Sequence, residues 1–203
     1  LYFFNMFVLS YFIIVNGLYI VLTTISFIVI RRYLQENILA RQRLKLFQTS
    51  FYKPISIIAP AFNEQATICD SVRSLLQLHY PEFEIIVVND GSTDKTLEVV
   101  MNEYRLKPSP RPYPTTLPCK EIRGVYVSKD YPQLVVVDKV NGGKADALNA
   151  GINVSRYPVF GAIDSDSLLE HDVMLKLVRP FLSDPDTIAA GGIVRVANGC
   201  HVE

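Results

Sequence analysis

Hydrophobic and polar positions divide the chain into a long apolar stretch at its N-terminal end and a series of short apolar runs after it. Residues 1–30 carry no charged side chain, and their few polar residues are scattered. A buried helix of a soluble protein would gather them on one stripe, whereas about 20 apolar residues suffice to cross a bilayer. No basic segment precedes the stretch and no small-residue cleavage site follows it, so a cleaved signal peptide fits poorly. We therefore predict a transmembrane segment over residues 1–30, with residues 11–30 crossing and residues 1–10 in or near the far interface.

The stretch after this segment is strongly basic. Residues 31–53 contain six basic residues against one acidic residue, and apolar residues such as Leu34 and Ile38 recur there at helical spacing. This pattern predicts either an interfacial helix that lies against anionic lipid or a solvated linker helix. Because basic residues favour the cytoplasmic side, we expect the N-terminus outside the plasma membrane and the rest of the chain at its inner face.

Residues 54–203 alternate between short β-branched runs and segments with apolar residues at three- and four-residue spacing. The runs predict strands at residues 55–60, 84–90, 134–138 and 159–164. The segments between and after them predict helices at residues 66–78, 93–104, 144–154 and 170–182. This alternation is typical of an α/β domain with a doubly wound, mostly parallel sheet. Ligands bind such sheets at the carboxyl ends of the strands, so those ends are where we look for function.

The first strand end combines an aromatic side chain with a carboxylate. Pro60 lacks an N–H and marks the exit from the strand. Phe62 could stack on a flat base, and Glu64 could accept hydrogen bonds from a nucleoside. The alternative is a plain strand-to-helix turn in which Asn63 caps the following helix.

The second strand ends at Asp90, which is followed by a glycine and two hydroxyl residues, Ser92 and Thr93. Capping of the next helix would account for the hydroxyls. It does not require a carboxylate at the last position of the strand, and Asp90 could accept the imide N–H of a uracil.

The third strand is followed by Gly142, Gly143 and Lys144. Two glycines before a helix let backbone N–H groups approach an anion, and the lysine adds a positive charge for a phosphate. The spacing of a P-loop is absent, and a flexible loop is the alternative.

The fourth strand ends in Asp164, Ser165 and Asp166. Carboxylates two positions apart on an extended segment project to the same side, so both can face one cation. Oxygen ligands without histidine or cysteine favour Mg²⁺ or Mn²⁺. In the alternative, Asp166 caps the last helix.

The net charge of the chain is zero, with 20 basic and 20 acidic residues, which argues against a nucleic-acid partner. The segments differ, however, because residues 105–133 contain six basic and two acidic residues and six of the twelve prolines. We expect a binding insert or a local hairpin around residues 125–127 there, with a solvated loop as the alternative. The rest of the domain is acidic. Three dispersed cysteines predict reduced thiols in a cytosolic domain, and we assign no role to the three histidines.

Taken in order, the motifs PAFNE, VVNDGSTDKT, NGGKADALNAG and Asp-Ser-Asp resemble those of family 2 glycosyltransferases of GT-A fold. They are most similar to those of membrane-embedded synthases of poly-N-acetylglucosamine, cellulose and hyaluronan. The resemblance covers residues 54–203. It implies inverting transfer of GlcNAc or glucose from a UDP-sugar to a hydroxyl of a growing polysaccharide or a lipid-linked acceptor. It also implies a divalent metal, Mg²⁺ or Mn²⁺.

The resemblance assigns roles to individual positions. Asp164 and Asp166 become the catalytic and metal-binding pair, and the nucleotide-sugar would contact Pro60, Phe62, Glu64, Asp90, Gly143, Lys144, Asp164 and Ser165. In the family, the general base lies in a later acidic motif. We therefore expect a domain truncated at its C-terminal end that holds the donor half of the site.

Two other interpretations of the motifs stay open at this point. In the first, Asp164 is the nucleophile of an aspartyl phosphotransferase, although such enzymes usually carry this motif on their first strand. In the second, the chain is a catalytically inactive membrane scaffold or a sensor that binds sugar nucleotides.

Overall fold

The computed structural model describes residues 1–46, 52–109, 112–164 and 169–192, with the side chains of residues 34–46 left undescribed. The chain divides into two compact units, Leu1–Phe51 and Tyr52–Glu203.

The first unit contains one continuous helix, α1 (Tyr2–Leu46). By length and composition alone, its segment Tyr2–Tyr33 is apolar enough to cross a membrane, with a mean hydropathy of 2.4. None of its most apolar window is buried within the structure. The helix continues from there into the basic stretch. The apolar segment and the predicted juxtamembrane helix are therefore parts of one helix, and Asn16 and Gly17 do not interrupt it.

Two polar side chains of α1 are satisfied within the helix itself. The Asn16 amide donates a hydrogen bond to the Phe12 carbonyl at 2.7 Å, and the Thr24 hydroxyl donates one to the Ile20 carbonyl at 2.8 Å. A hydrocarbon environment offers no water, so polar groups there need such internal partners. Both contacts are compatible with a membrane-spanning helix.

The second unit is built on one six-stranded sheet with the strand order β3-β4-β5-β2-β1-β6. The strands are β1 (Ile55–Ala61), β2 (Phe83–Asp90), β3 (Lys107–Pro108), β4 (Ile122–Val127), β5 (Leu134–Lys139) and β6 (Val159–Ala162). The helices are α2 (Ile68–Leu76), α3 (Thr96–Glu103), α4 (Lys144–Val154) and α5 (Val173–Ser183). Strands β5, β2, β1 and β6 are parallel, while β4 and β3 form an antiparallel edge.

The sheet is covered on both faces, as predicted for a doubly wound fold. On one face, side chains such as Ile57, Val87 and Val136 pack with α2, α3 and α5. On the other face, neighbours such as Ile58 and Val137 pack with α4. Because successive side chains of a strand point to opposite faces, the last residue of β2 and the last residue of β5 both belong to the α4 face.

All four predicted strands and all four predicted helices are confirmed, with shifted ends. Strand β6 stops at Ala162, so Asp164 follows the strand instead of closing it. Helices α2 and α3 begin at Ile68 and Thr96, later than predicted. The residues before them form loops at the carboxyl ends of β1 and β2.

The basic insert over residues 105–133 supplies two strands and a docked segment. Strand β4 pairs antiparallel with β5, which confirms a strand around residues 125–127. Asn153 of α4 accepts a hydrogen bond from the Leu117 N–H at 2.9 Å and donates one to the Leu117 carbonyl at 2.8 Å. The Asn149 amide donates to the Pro118 carbonyl at 2.9 Å. These hydrogen bonds attach Leu117 and Pro118 to α4, although most of residues 112–120 are exposed, so a solvated loop stays an alternative for this part of the insert.

The amino ends of β1 and β2 carry a buried polar network. The carboxylate of Glu84, which is 3% exposed, accepts hydrogen bonds from the Ser56 hydroxyl at 2.7 Å and from the Arg156 N–H at 2.6 Å. These contacts attach the connection between α4 and β6 to the sheet, at the end opposite the predicted site.

In the part of the chain that the structure describes, the cysteines are unpaired, as expected for reduced thiols. Cys69 and Cys119 are free thiols, and Cys200 lies outside the described residues. His79 and His171 stack on each other at 5.3 Å between ring centroids. Neither lines the cleft described below.

Candidate functional site

The candidate site is a cleft of about 510 Å³ at the carboxyl ends of β1 and β2. It is lined by Pro60, Ala61, Phe62, Glu64, Asp90, Asn141, Gly143, Lys144 and Asp164. These include every predicted site residue that the structure describes. Ser165 and Asp166, the other two, lie outside the described residues.

The loops after β1 and β2 are held together by hydrogen bonds between side chains and backbone. Asn63, in the left-handed region with φ 56°, accepts from the Thr93 N–H at 2.8 Å and donates its own N–H to the Ser92 hydroxyl at 3.0 Å. The Glu64 N–H donates to the Thr96 hydroxyl at 2.8 Å. The mouth of the cleft is thus a braced pair of loops.

This bracing corrects the capping interpretation of both loops. The residues that cap α2 and α3 are Thr67 and Lys95, and neither makes a side-chain capping bond within the described structure. Asn63 and Ser92 point their polar groups at each other's loop instead. Asparagine tolerates left-handed backbone better than most residues. In this conformation Asn63 lies before the first turn of α2 and does not cap it.

Phe62 presents an apolar ring at the cleft. Its side chain is 48% exposed, although it follows directly on the buried strand β1. A phenylalanine that only filled the core would be covered. The ring is therefore available for contact with a flat ligand group.

Asp90 is almost fully buried, at 4% exposed, and its carboxylate holds the glycine turn. Oδ1 accepts hydrogen bonds from Lys139 Nζ at 2.6 Å and from the Gly142 N–H at 3.0 Å. Oδ2 accepts one from the Gly143 N–H at 2.7 Å. A carboxylate has about four lone-pair positions, so one acceptor position on Oδ2 has no partner among the described residues. The predicted contact with a uracil imide stays a prediction.

Lys139 is a residue of the site that the sequence analysis missed. It is 0% exposed, and its ammonium lies 2.6 Å from Asp90 Oδ1 and 2.5 Å from Asp146 Oδ2. Desolvation lowers the pKa of Lys139, but hydrogen bonds to Asp146 and Asp90 and their charges outweigh it, so the pKa is raised above its usual value. The hydrogen bond from Lys139 is the main cause that lowers the pKa of Asp146. Lys139 and Asp146 are therefore both ionised at neutral pH.

The sequence carried a signal for this lysine. Strand β5 extends through Lys139, one residue beyond the predicted strand end. Counted as a strand residue, Lys139 shares a face with Val135 and Val137, towards α4. A lysine in that position needs a carboxylate partner.

Lys144 and Asp164 form an ion pair across the cleft. Both side chains are more than half exposed, at 63% and 55%. The structure thus brings together the lysine predicted for a diphosphate and a carboxylate predicted for a metal. Among the described residues there is no group of three or more histidine, cysteine or acidic side chains that could hold a metal. Of the two carboxylates predicted to bind a metal, Asp164 is described, and it contacts the Lys144 ammonium; its role as a metal ligand stays a prediction.

The basic insert contacts the same turn from outside. Lys120 donates its N–H to Asp146 Oδ1 at 3.0 Å, and its ammonium donates to the Asn141 carbonyl at 2.6 Å. The insert therefore contacts the glycine turn and α4 beside the site, a contact that the sequence did not predict.

Comparisons with known proteins point to one family. The chain is 32% identical over 144 residues to a poly-beta-1,6-N-acetyl-D-glucosamine synthase of Staphylococcus epidermidis, with 71% of this chain and 29% of the relative covered. It is 30% identical over 145 residues to the protein of the same name from Staphylococcus aureus, with the same coverage. The chain thus spans less than a third of the length of these relatives.

Among solved structures, a mannosyltransferase from Pyrobaculum calidifontis, in complex with GDP-Man and Mn²⁺, superposes with a TM-score of 0.52 and 22% identity. The match covers 67% of this chain and 34% of the mannosyltransferase, and it supports the fold. The profile described as Glycosyl transferase family 2 matches residues 56–112 and 115–201. These residues include both braced loops, the glycine turn and the acidic triplet, and the chain therefore belongs to glycosyltransferase family 2.

Proposed function

We propose that this chain carries the donor site of a membrane-attached glycosyltransferase. The enzyme would transfer GlcNAc or glucose from a UDP-sugar, with inversion, to a hydroxyl of a growing polysaccharide or a lipid-linked acceptor. The observation that carries the proposal is the single cleft lined by all seven described residues that the family resemblance assigns to the donor. The names of the Staphylococcus relatives favour GlcNAc as the sugar.

The cleft offers separate contacts for the nucleoside and for the diphosphate of a UDP-sugar. The exposed ring of Phe62 can stack on the uracil, while Glu64 and the remaining acceptor position of Asp90 can accept hydrogen bonds from the nucleoside. Lys144 can bind the diphosphate as a charge-assisted donor. Stabilisation of the negative charge on the leaving diphosphate is the main requirement of sugar transfer, and a positioned cation meets it.

A divalent metal, Mg²⁺ or Mn²⁺, is part of the proposal. Asp164 would be one ligand and Asp166, outside the described residues, the second, because hard carboxylate oxygens suit both ions. When bound, the metal would neutralise the diphosphate and stabilise its departure. The mannosyltransferase of similar fold was solved with Mn²⁺, which supports this assignment.

The membrane arrangement is proposed from α1 and its charges. The apolar segment Tyr2–Tyr33 would cross the plasma membrane with the N-terminus outside. The basic residues of 31–53 would then lie against the headgroups of the inner leaflet, with membrane lipid as their partner and the second unit in the cytoplasm.

Titration of the full chain in detergent with UDP, with and without Mn²⁺, tests the function and the metal together. We expect UDP to bind more tightly with Mn²⁺, and we expect Asp164→Asn to remove most of that gain because it removes a charged ligand. Isothermal titration calorimetry gives the affinities. Equal UDP affinity with and without Mn²⁺ in both proteins would contradict the metal assignment, and absence of UDP binding would contradict the function.

Phe62→Ala should lower the affinity for UDP by about tenfold, since stacking of a base on an aromatic ring contributes about 1–3 kcal/mol. Phe160→Ala is the matched control, because Phe160 in β6 is also about half exposed, at 49%, but does not line the cleft. The same titration measures both variants. Equal losses in the two would argue against stacking on Phe62.

The two other interpretations fare differently. Family membership argues against the aspartyl phosphotransferase, and the acidic triplet follows β6 at the edge of the sheet instead of the first strand. An inactive sensor stays a competing hypothesis. Release of UDP from a UDP-sugar in the presence of an acceptor separates it from an enzyme.

A further inference from the structure

Beneath the cleft lies a buried cation that the proposed reaction does not use. Lys139 ends β5 and touches two carboxylates, Asp90 at the end of β2 and Asp146 in the first turn of α4. Its ammonium also donates a hydrogen bond to the Val140 carbonyl at 2.7 Å. The three elements β2, β5 and α4 are thereby tied to one point.

Lys139 thus forms a bridge between Asp90 and Asp146, and the burial of its ammonium requires close partners. A lysine without solvent contact keeps its charge only if its partners replace the lost hydration. Lys139 meets this condition with three acceptor atoms, two of them charged. Loss of any one of these partners would leave the buried ammonium without one of its hydrogen bonds in a medium of low dielectric constant. The positions of all the partners are therefore closely constrained.

The bridge determines the shape of the turn formed by residues 141–143. Gly142 and Gly143 donate their N–H groups to Asp90, and the Asn141 side chain donates to the Asp90 carbonyl at 2.8 Å. A Cβ on Gly142 would overlap the Asp146 carboxylate, so the turn packs directly on the second partner of the lysine. The turn is thus held by both carboxylates that Lys139 joins.

The turn also sets the backbone position of Lys144, the cleft residue that follows it. Gly143 has φ 89°, a left-handed conformation that suits glycine, and it is the residue that caps α4. Lys144 is the first residue of that helix. A change in the turn would therefore move the backbone from which the Lys144 side chain extends.

We propose that Lys139 is a positioning residue of the nucleotide site, which holds the turn of residues 141–143 and the start of α4 in the geometry that receives a diphosphate before any nucleotide binds. This inference rests on the proposed function. Such preorganisation raises affinity because the ligand does not have to order the loop.

Two variants separate positioning from plain electrostatics, since their charge effects on an anionic ligand are opposite. Lys139→Met removes a positive charge near the diphosphate, whereas Asp146→Asn removes a negative one. If only charge mattered, Lys139→Met would weaken UDP binding and Asp146→Asn would tighten it. If the bridge positions the turn, both variants weaken UDP binding, and we expect losses of about tenfold, as is typical for supporting residues behind a binding group.

The experiment uses the full chain in detergent and compares wild type, both variants and the double variant by calorimetric titration with UDP. Titrations are run well below the unfolding temperature of each protein. We expect the double variant to bind about as weakly as either single variant, because each change alone breaks the bridge. Lys129→Met, in the turn between β4 and β5 at the other end of the sheet, is the control for a lost lysine and should bind UDP like wild type.

Hydrogen exchange without nucleotide provides a second measurement. We expect the peptide that covers residues 139–148 to exchange slowly in wild type and faster in Asp146→Asn, which tests the turn even if Lys139→Met does not fold. Tighter UDP binding by Asp146→Asn, wild-type affinity in both variants, or unchanged exchange would each overturn the positioning role. A wild-type chain that does not bind UDP would overturn the proposed function instead.

Discussion

Replacement of Lys144 by methionine is expected to weaken UDP binding by about 100-fold and to leave uridine binding nearly unchanged. Lys144 is the exposed cation at the start of α4, next to the glycine turn and in contact with Asp164. Loss of one partner from a charge-assisted contact costs about 2–5 kcal/mol when the other partner is left uncompensated. Methionine also leaves the Asp164 carboxylate without its cation, which adds repulsion towards a diphosphate.

Uridine is the informative comparison because it has the base and the ribose but no diphosphate. Calorimetric titration of the full chain with UDP and with uridine measures both affinities. Lys129→Met serves as the control, since it removes the same charge at the far end of the sheet. Equal losses for UDP and uridine would place Lys144 at the base, and no loss for either would remove it from the site.

Replacement of Gly151 by alanine is expected to lower the free energy of unfolding by about 2 kcal/mol. A Cβ at this position of α4 would overlap the Ile58 side chain in the middle of β1. Neither partner can yield easily, because Ile58 is fully buried in a packed core. Overpacking of this kind costs about 1–3 kcal/mol. For a unit of this size we expect the unfolding temperature to fall by about 4–8 °C.

The control for this prediction is Gly161→Ala in β6. A Cβ there has nothing within 4 Å, so the same added methyl group meets no neighbour. Thermal unfolding followed by circular dichroism in detergent compares the two variants with wild type. A Gly151→Ala chain as stable as Gly161→Ala would mean that α4 packs less closely on β1 than the structure shows.

The strands of the sheet were predictable from the sequence because burial on both faces leaves a local trace. Apolar runs such as that of β2 give a strand its position, and a glycine such as Gly91 after β2 marks its end. The rule that ligands bind at carboxyl ends then gathers Phe62, Asp90, Lys144 and Asp164 at one edge. In the structure these residues line one cleft.

The partners of the polar residues were not predictable in the same way. Ser92 and Thr93 were interpreted as caps of their own helix, but their contacts are with Asn63, 29 and 30 residues away. A sequence window contains only the local partner, and the local and distant hydrogen bonds are chemically equivalent. Only the register of β1 against β2 makes the distant partner available.

The same limit explains why Lys139 was missed. Its two partners are separated from it by the order of the strands and by the length of a loop, and none of the three residues forms a motif with the others. One residue of error in the end of β5 was sufficient to place the lysine in a loop, where no face of the sheet is assigned to its side chain.

The sequence by itself determined the apolar N-terminal helix, the alternation of strands and helices, and the strand ends at which the candidate site lies. These features follow from local periodicity, which reports how each segment is buried. The tertiary structure alone decided that Asp90 holds the glycine turn, that Lys144 pairs with Asp164, and that Lys139 joins two carboxylates beneath the cleft. Such pairings depend on strand order, register and the face of the sheet, and those bring together residues that no local pattern connects.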